Sequence, residues 1–187
     1  IKDGGSIIWA ETVNAIRDLN PNTTIETLIP DFKGETDNID RIIKVAPEVV
    51  SHNLETVRRL TKEVRIQAKY DRSLEVLKYL KESGISRTKS GVMLGLGEKR
   101  EEVLETLDDL RSVGVDIVTL GQYLQPSKKH LPVVDFITPD EFKEYEIIGK
   151  EMGFRHVESG PLVRSSYKAH KHICLLYTSP SPRDNTL

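Results

Sequence analysis

The run Gly91-Val92-Met93-Leu94-Gly95-Leu96-Gly97-Glu98 decides the fold, because a short buried strand leads directly into a glycine-containing turn and the start of a helix. The apolar residues Val103, Leu107 and Leu110 then follow helical spacing. The next apolar run, Ile117-Val118-Thr119-Leu120, is rich in β-branched residues and predicts another strand. A strand, a helix and a strand in this order predict parallel pairing through a right-handed crossover.

The same alternation of strands and helices extends on both sides of this unit. The run Thr138-Pro139-Asp140-Glu141 has the composition of a helix start, with Thr138 as its N-cap. Strands that alternate with helices of ten or more residues are typical of α/β folds. Outside the central unit, the sequence predicts strands at 24–29 and 49–53, helices around 8–16, 39–43 and 74–80, and a last apolar segment at 154–157.

The predicted architecture is a partial (β/α) TIM-type barrel. Four βα units and a C-terminal extension are clear in the sequence, whereas a complete eight-unit barrel needs roughly 250 residues. An open dinucleotide-binding sheet is disfavoured, because no Gly-x-Gly-x-x-Gly motif follows the first predicted strand. Since the chain opens at Ile1 inside a polar stretch, we expect the barrel to be truncated at its N-terminus.

Composition excludes several classes of protein. The 187 residues carry a net charge of −2, which offers no general surface for nucleic acid. No apolar run approaches the ~20 residues of a membrane-spanning helix, and no signal peptide is visible, so we expect a soluble, intracellular protein without a membrane partner. The single cysteine, Cys174, excludes an internal disulfide and any metal site built only from thiolates of this chain.

The end of the chain changes character at Cys174. The run that follows has no helix or strand periodicity and contains Ser-Pro repeats, which is typical of a disordered tail. It also reads like an in-frame translation of a sequencing-library transposon adapter, which is the interpretation we favour. We therefore predict one domain at residues 1–173 and a non-native tail at residues 174–187.

Polar residues cluster where the predicted strands end, which is where active sites lie in such folds. The clusters are at residues 31–34, 52–56, 95–98 and 121–126, and their common placement favours a shared pocket. In the second cluster, Asn53 and Glu55 offer an amide and a carboxylate that suit a ribose diol, although a strand-end cap is the structural alternative. His52 is predicted to be a buried, hydrogen-bonded residue and not a metal ligand.

The motifs taken together resemble the lipoyl synthase family of radical S-adenosylmethionine (SAM) enzymes. The resemblance covers almost all of residues 3–169 in one collinear order, and the final motif is close to diagnostic. The segments that carry it are PNTTIE at 21–26, LIPDF at 28–32, HNLETV at 52–57, TKSG at 88–91, GLGE at 95–98, GQYLQPS at 121–127, HLPV at 130–133 and GPLVRSSY at 160–167.

The resemblance implies a radical SAM barrel that inserts two sulfur atoms at C6 and C8 of a protein-bound octanoyl chain. The implied cofactors are SAM and two [4Fe-4S] clusters, of which one cleaves SAM to a 5′-deoxyadenosyl radical and the other supplies sulfur. The family binds its clusters through N-terminal cysteines, including a Cys-x-x-x-Cys-x-x-Cys run that residues 1–173 do not contain. We therefore expect this chain by itself to be inactive.

The resemblance also assigns roles to individual residues, none of them catalytic. Asn53, Glu55 and the motif with Gly91, Gly95, Gly97 and Glu98 match strands that hold the ribose and adenine of SAM. Gln122 is predicted to bind the cofactor with them, and Arg65 to face the methionine carboxylate. Ser166 matches a serine that ligates the sulfur-supplying cluster, where a hydroxyl is a harder and poorer iron ligand than a thiolate.

The implied partners are octanoylated lipoyl-carrier domains, namely the acyltransferase subunit of 2-oxoacid dehydrogenases and the H protein of glycine cleavage. The implied compartment is the bacterial cytoplasm, or the mitochondrial matrix in a eukaryote. Two other functions stay open from the residues alone. A cluster-free barrel lyase or aldolase would use Lys33 or Lys89 to trap a carbonyl group. A non-catalytic barrel would only bind octanoylated carriers.

Overall fold

The computed structural model describes residues 2–173. The tail predicted at residues 174–187 lies outside them, so its adapter origin stays a prediction. Within the described residues, no helix is both long and apolar enough to cross a membrane. The helices are α1 Ser6–Leu19, α2 Thr36–Lys44, α3 Thr61–Val64, α4 Tyr70–Glu82, α5 Arg100–Ser112 and α6 Pro139–Glu151, and the strands are β1 Glu26–Leu28, β2 Val49–Ser51, β3 Arg87–Leu94, β4 Ile117–Gln122 and β5 His156–Gly160.

The five strands form one parallel sheet in the order β1-β2-β3-β4-β5. This confirms the predicted α/β fold with parallel pairing between consecutive units. β3 begins at Arg87, four residues before the predicted start, because its first residues are polar and yet buried. The last apolar segment forms the fifth strand, β5, which the sequence had indicated only as part of a C-terminal extension.

Alternate residues of the strands pack against the helices. On β3 and β4, Val92, Leu94, Val118 and Leu120 join a core with apolar residues of α4, α5 and α6. Because successive strand side chains point to opposite faces, the residues between them, such as Gly91, face the other side of the sheet. That inner face carries the polar residues of the candidate site.

The helix termini follow the capping chemistry of the sequence. The hydroxyl oxygen of Thr138 accepts a hydrogen bond from the backbone NH of Glu141, whose carboxylate accepts one from the backbone NH of Thr138 at 2.9 Å. This confirms the predicted N-cap of α6. Gly84 follows the end of α4 with φ of +90°, a conformation that favours glycine.

Candidate functional site

A pocket of about 810 Å³ opens at the carboxyl ends of the strands. β1, β3 and β4 contribute Leu28, Met93 and Gln122, while Asn53 follows β2 and Val163 follows β5. The pocket contains residues from three of the four predicted polar clusters. The cluster at 31–34 lies elsewhere, where the carboxylate of Asp31 pairs with Arg72.

Asn53 and Glu55 lie side by side in this pocket. The amide nitrogen of Asn53 donates a hydrogen bond to the Glu55 carboxylate at 3.2 Å. The amide oxygen of Asn53 is buried and has no hydrogen-bond partner among the described residues. A buried acceptor without a donor is costly, so this oxygen is suited to a ligand hydroxyl or NH group.

Gly91 is required beside this pair. A Cβ at Gly91 would lie 3.0 Å from the amide oxygen of Asn53 and 2.9 Å from the hydroxyl of Thr119. Any larger residue would therefore displace Asn53 or cover it. The glycine leaves the backbone of β3 open to a ligand that reaches Asn53 and Glu55.

The backbone of Glu55 is held in an unusual conformation with φ of +66°. Its NH donates to the carbonyl of Gly91 at 2.9 Å, and its carbonyl accepts from the NH of Met93 at 2.8 Å. A non-glycine residue in this region costs about 1–3 kcal/mol, which the two hydrogen bonds to β3 help to offset. Such strain is common at functional sites, and here it fixes where the carboxylate points.

The turn after β3 lies beside the pocket, but the polar groups of the turn do not line the pocket. The Glu98 carboxylate accepts hydrogen bonds from the backbone NH groups of Gly95 and Leu96. Gly97, with φ of +97°, presents its carbonyl to Arg59 at 2.8 Å. Of residues 95–98, only Leu96 lines the pocket. The structure therefore places Gly95, Gly97 and Glu98 in the turn, with the carboxylate directed at its own backbone.

Arg65 and Gln122 are engaged by neighbouring loops. The guanidinium of Arg65 donates to the carbonyl of Asn53 at 2.8 Å, so it supports the loop that carries Asn53 and Glu55. The side chain of Gln122 donates to the carbonyl of Asp135 and accepts from the NH of Ile137, both at 3.0 Å. Arg65 does not line the pocket, whereas Gln122 does.

The segment after β5 forms one side of the pocket, a placement that sequence reasoning missed. The carbonyl of Val163 approaches Gly121 so closely that a Cβ there would collide with it. Arg164 and Ser165 line the pocket, while Ser166, the predicted cluster ligand, is exposed and does not. A glycine inside the buried β4 run was the available signal, because such a residue often marks close approach of another backbone.

His52 is buried as predicted. Burial lowers the pKa of its imidazole, although the bond to Ile29 opposes this, so the neutral ring is favoured at pH 7. Its Nδ1 then donates to the carbonyl of Ile29, and its Nε2 accepts from the hydroxyl of Ser73, both at 2.9 Å. Within residues 2–173, no group of three or more His, Cys, Asp or Glu side chains is arranged to hold a metal ion.

The two lysines of the aldolase hypothesis lie outside the pocket. Lys33 is exposed on a short 3₁₀ turn at Phe32–Gly34. Lys89 is fully buried, and its ammonium is bound by Glu26 and by the carbonyl of Ser165. Neither amine is placed to trap a carbonyl compound that enters the pocket.

Comparison with known proteins identifies relatives of this chain. Residues 5–110 match the Radical SAM superfamily. The chain is 76% identical over 173 residues to lipoyl synthase of Christiangramia forsetii and 75% identical over 173 residues to mitochondrial lipoyl synthase of Nematostella vectensis. These matches cover 92% of this chain and 59% and 60% of the two relatives, so the chain spans about 60% of their length.

Among solved structures, coproporphyrinogen III oxidase of Escherichia coli, a radical SAM enzyme, superimposes with a TM-score of 0.64 at 14% identity. The match covers 79% of this chain and 37% of that one, and it shows a shared fold. The parallel sheet is thus part of the barrel common to these enzymes. On the sequence match and the shared fold, the chain belongs to the radical SAM superfamily.

Proposed function

We propose that this chain acts as part of a lipoyl synthase, which inserts two sulfur atoms at C6 and C8 of an octanoyl chain on a carrier lysine. The observation that carries the proposal is the 75–76% identity to two lipoyl synthases over 92% of the chain. The motifs of the sequence support the same function. The arrangement of the pocket gives no comparable support to a lyase or aldolase, because Lys33 and Lys89 lie outside it.

SAM fits the residues of the pocket. Members of the superfamily use SAM and a [4Fe-4S] cluster, with SAM as the source of the radical. The amide oxygen of Asn53, which has no hydrogen-bond partner within residues 2–173, and the carboxylate of Glu55 suit the two ribose hydroxyls, which donate hydrogen bonds. Gly91 allows the ligand to approach the sheet. Arg65 would act on SAM through the loop of Asn53, and Gln122 through the segment at 135–137.

An iron–sulfur cluster does not fit the described residues by themselves. Residues 2–173 contain no cysteine, and no metal-binding group of side chains is found among them. The thiolates for the proposed two clusters must therefore come from outside these residues. Ser166 is the one ligand that we propose from this range, at an exposed position beside the pocket-lining Ser165.

The mouth of the pocket suits a carrier-bound acyl chain. Ile66, Leu124 and Leu131 are apolar, exposed and lie on the lining, and Lys129 stands beside them. Apolar residues suit the octanoyl chain, and a lysine suits an acidic carrier surface. We propose octanoylated lipoyl-carrier domains as partners, either acyltransferase subunits or the glycine-cleavage H protein, in a bacterial cytoplasm or a mitochondrial matrix.

The binding of adenosine should depend on pH through Glu55. Burial raises the pKa of this carboxyl above its usual value of 4.5, although Asn53 and Arg65 oppose the shift. Only the ionised carboxylate accepts hydrogen bonds at both oxygens, so we expect affinity to fall as the pH drops through the raised pKa. Titration calorimetry between pH 8 and pH 4 measures this loss. The Glu55→Gln variant should bind with nearly constant affinity over that range, and an equal pH dependence in this variant would contradict the assignment.

A chimera tests the proposed activity. Residues 1–173 would replace the matching 173 residues of the Christiangramia forsetii lipoyl synthase, which supplies the remaining 41% of that protein. After anaerobic reconstitution with iron and sulfide, we expect conversion of an octanoylated H protein to its lipoylated form, followed by mass spectrometry. A folded chimera that binds SAM and the carrier but forms no lipoyl product would overturn the proposal and favour a non-catalytic binder.

A further inference from the structure

The inner face of the sheet holds a buried charged group that the proposed SAM site does not use. Lys89 is on β3, and its side chain is 0% exposed. Its ammonium donates to the Glu26 carboxylate at 2.6 Å, to the carbonyl oxygen of Ser165, and to Nδ1 of His172 at 3.3 Å. The three contacts satisfy the three NH groups of the ammonium.

These contacts join β1 and β3 to the segment after β5. Ser165 and His172 both belong to that segment, which also presses the carbonyl of Val163 against Gly121 on β4. The segment therefore crosses the inner face from β4 to β1. It carries Arg164 and Ser165, which line the pocket.

The charges of Lys89 and Glu26 carry a desolvation free-energy cost, because burial removes the ammonium and the carboxylate from water. Burial also opposes the charge on Glu26, but the neighbouring side chains of His172 and Lys89 together hold the pKa of that carboxyl below its usual range. Buried ion pairs add little net stability compared with apolar residues of similar size. Such a pair does fix the positions of both side chains, because neither can move away without leaving the other charge buried and unpaired.

We infer that Lys89 is a positioning residue, which joins the Glu26 carboxylate to the carbonyl of Ser165 and so fixes residues 164–167 across the base of the pocket. The NH of Tyr167 donates to the carbonyl of Arg164 at 2.9 Å, which closes this turn. Ser166 stands in the turn next to the bound carbonyl, so Lys89 also sets where its hydroxyl lies. The consequence for Ser166 rests on the proposed function, whereas the position of the turn does not.

Hydrogen–deuterium exchange of the 187-residue chain tests the inference without any activity. In Lys89→Met, amides at 166–172 should exchange on the order of 100-fold faster, while those of α5 keep their rates. The matched control is Lys81→Met, which breaks an ion pair of 2.7 Å with Asp116 and should leave residues 166–172 unchanged. If Lys89→Met leaves exchange at 166–172 unchanged or accelerates exchange equally everywhere, the inference is overturned.

A double variant covers the case in which Lys89→Met fails to fold. Lys89→Met with Glu26→Gln removes both charges, so the sheet should recover stability while residues 166–172 stay fast in exchange. If residues 166–172 of the double variant exchange at the rates of the original chain, the inference is overturned.

Kinetics of an active chimera give a second test. The double variant should lower kcat for lipoyl formation about tenfold or more, while the KM for SAM changes less than about twofold, because Asn53 and Glu55 are intact. An equal loss in both parameters would contradict a positioning role.

Discussion

Adenosine should bind the Asn53→Ala and Glu55→Ala variants on the order of 10-fold to 100-fold more weakly than the original chain. Each substitution removes an acceptor that faces the same pocket, and the Asn53 oxygen has no partner among residues 2–173 that would be left behind. A hydrogen bond to the Glu55 carboxylate is worth more than one to a neutral group, so Glu55→Ala should show the larger loss.

Titration calorimetry with two ligands isolates the contact. 2′,3′-Dideoxyadenosine lacks the 2′- and 3′-hydroxyls, so it should bind the original chain about as weakly as adenosine binds a variant that carries both Asn53→Ala and Glu55→Ala. Glu63→Ala is the matched control, because Glu63 also lines the pocket but is exposed at its mouth. It should change adenosine affinity less than about twofold, as expected for a solvated charge. Equal binding of the two ligands by the original chain would show that the diol does not contact Asn53 and Glu55.

Gly95→Ala should destabilise the chain by about 3 kcal/mol or more. Gly95 has φ of +102°, and a Cβ there would collide with the side chain of Gln122 and the carbonyl of Asp135. The carbonyl of Gly95 also accepts the NH of Val134 at 2.9 Å, so a shift of this residue would release the segment at 134–137. A side-chain rotation alone cannot relieve this collision, because one of the colliding atoms, the carbonyl oxygen of Asp135, belongs to the backbone.

The free energy of unfolding from urea titrations measures this loss. Gly84→Ala is the matched control, because Gly84 has φ of +90° but a Cβ there meets no atom of residues 2–173 within 4 Å. The Gly84→Ala variant has the backbone strain without the collision, so its free energy of unfolding should fall by about 1–2 kcal/mol. Equal losses in the two variants would show that the contact between Gly95 and the 134–137 segment does not constrain the fold.

Much of the fold followed from the sequence, because strand and helix alternate with clear periodicity. The cap at Thr138 and the glycine at Gly84 were readable since their chemistry is local. The start of β3 could not be predicted from the sequence, because Arg87 and its neighbours are polar residues whose partners lie far away in the chain. Burial of Lys89 depends on Glu26 and on the C-terminal segment, and no local pattern records such contacts.

The candidate site was predictable where it depends on strand ends. Asn53, Glu55 and Gly91 were expected near one another, and the structure brings them together. The resemblance also pointed to Arg65 and Gln122, whose side chains bind loop backbone in this structure. The approach of the Val163 carbonyl to Gly121 was missed because a glycine in a strand can mark a close backbone approach without showing which segment makes it.

In the part of the chain that the structure describes, each strand of the parallel sheet pairs with strands that are its neighbours in the chain, so the sheet can be assembled unit by unit as synthesis proceeds. The contact of Lys89 with Ser165 is different, because it links residues 76 positions apart. Closing so long a loop carries a larger entropic cost than pairing adjacent units. We therefore expect the wall of the pocket built by residues 163–165 to form after the strands that it covers.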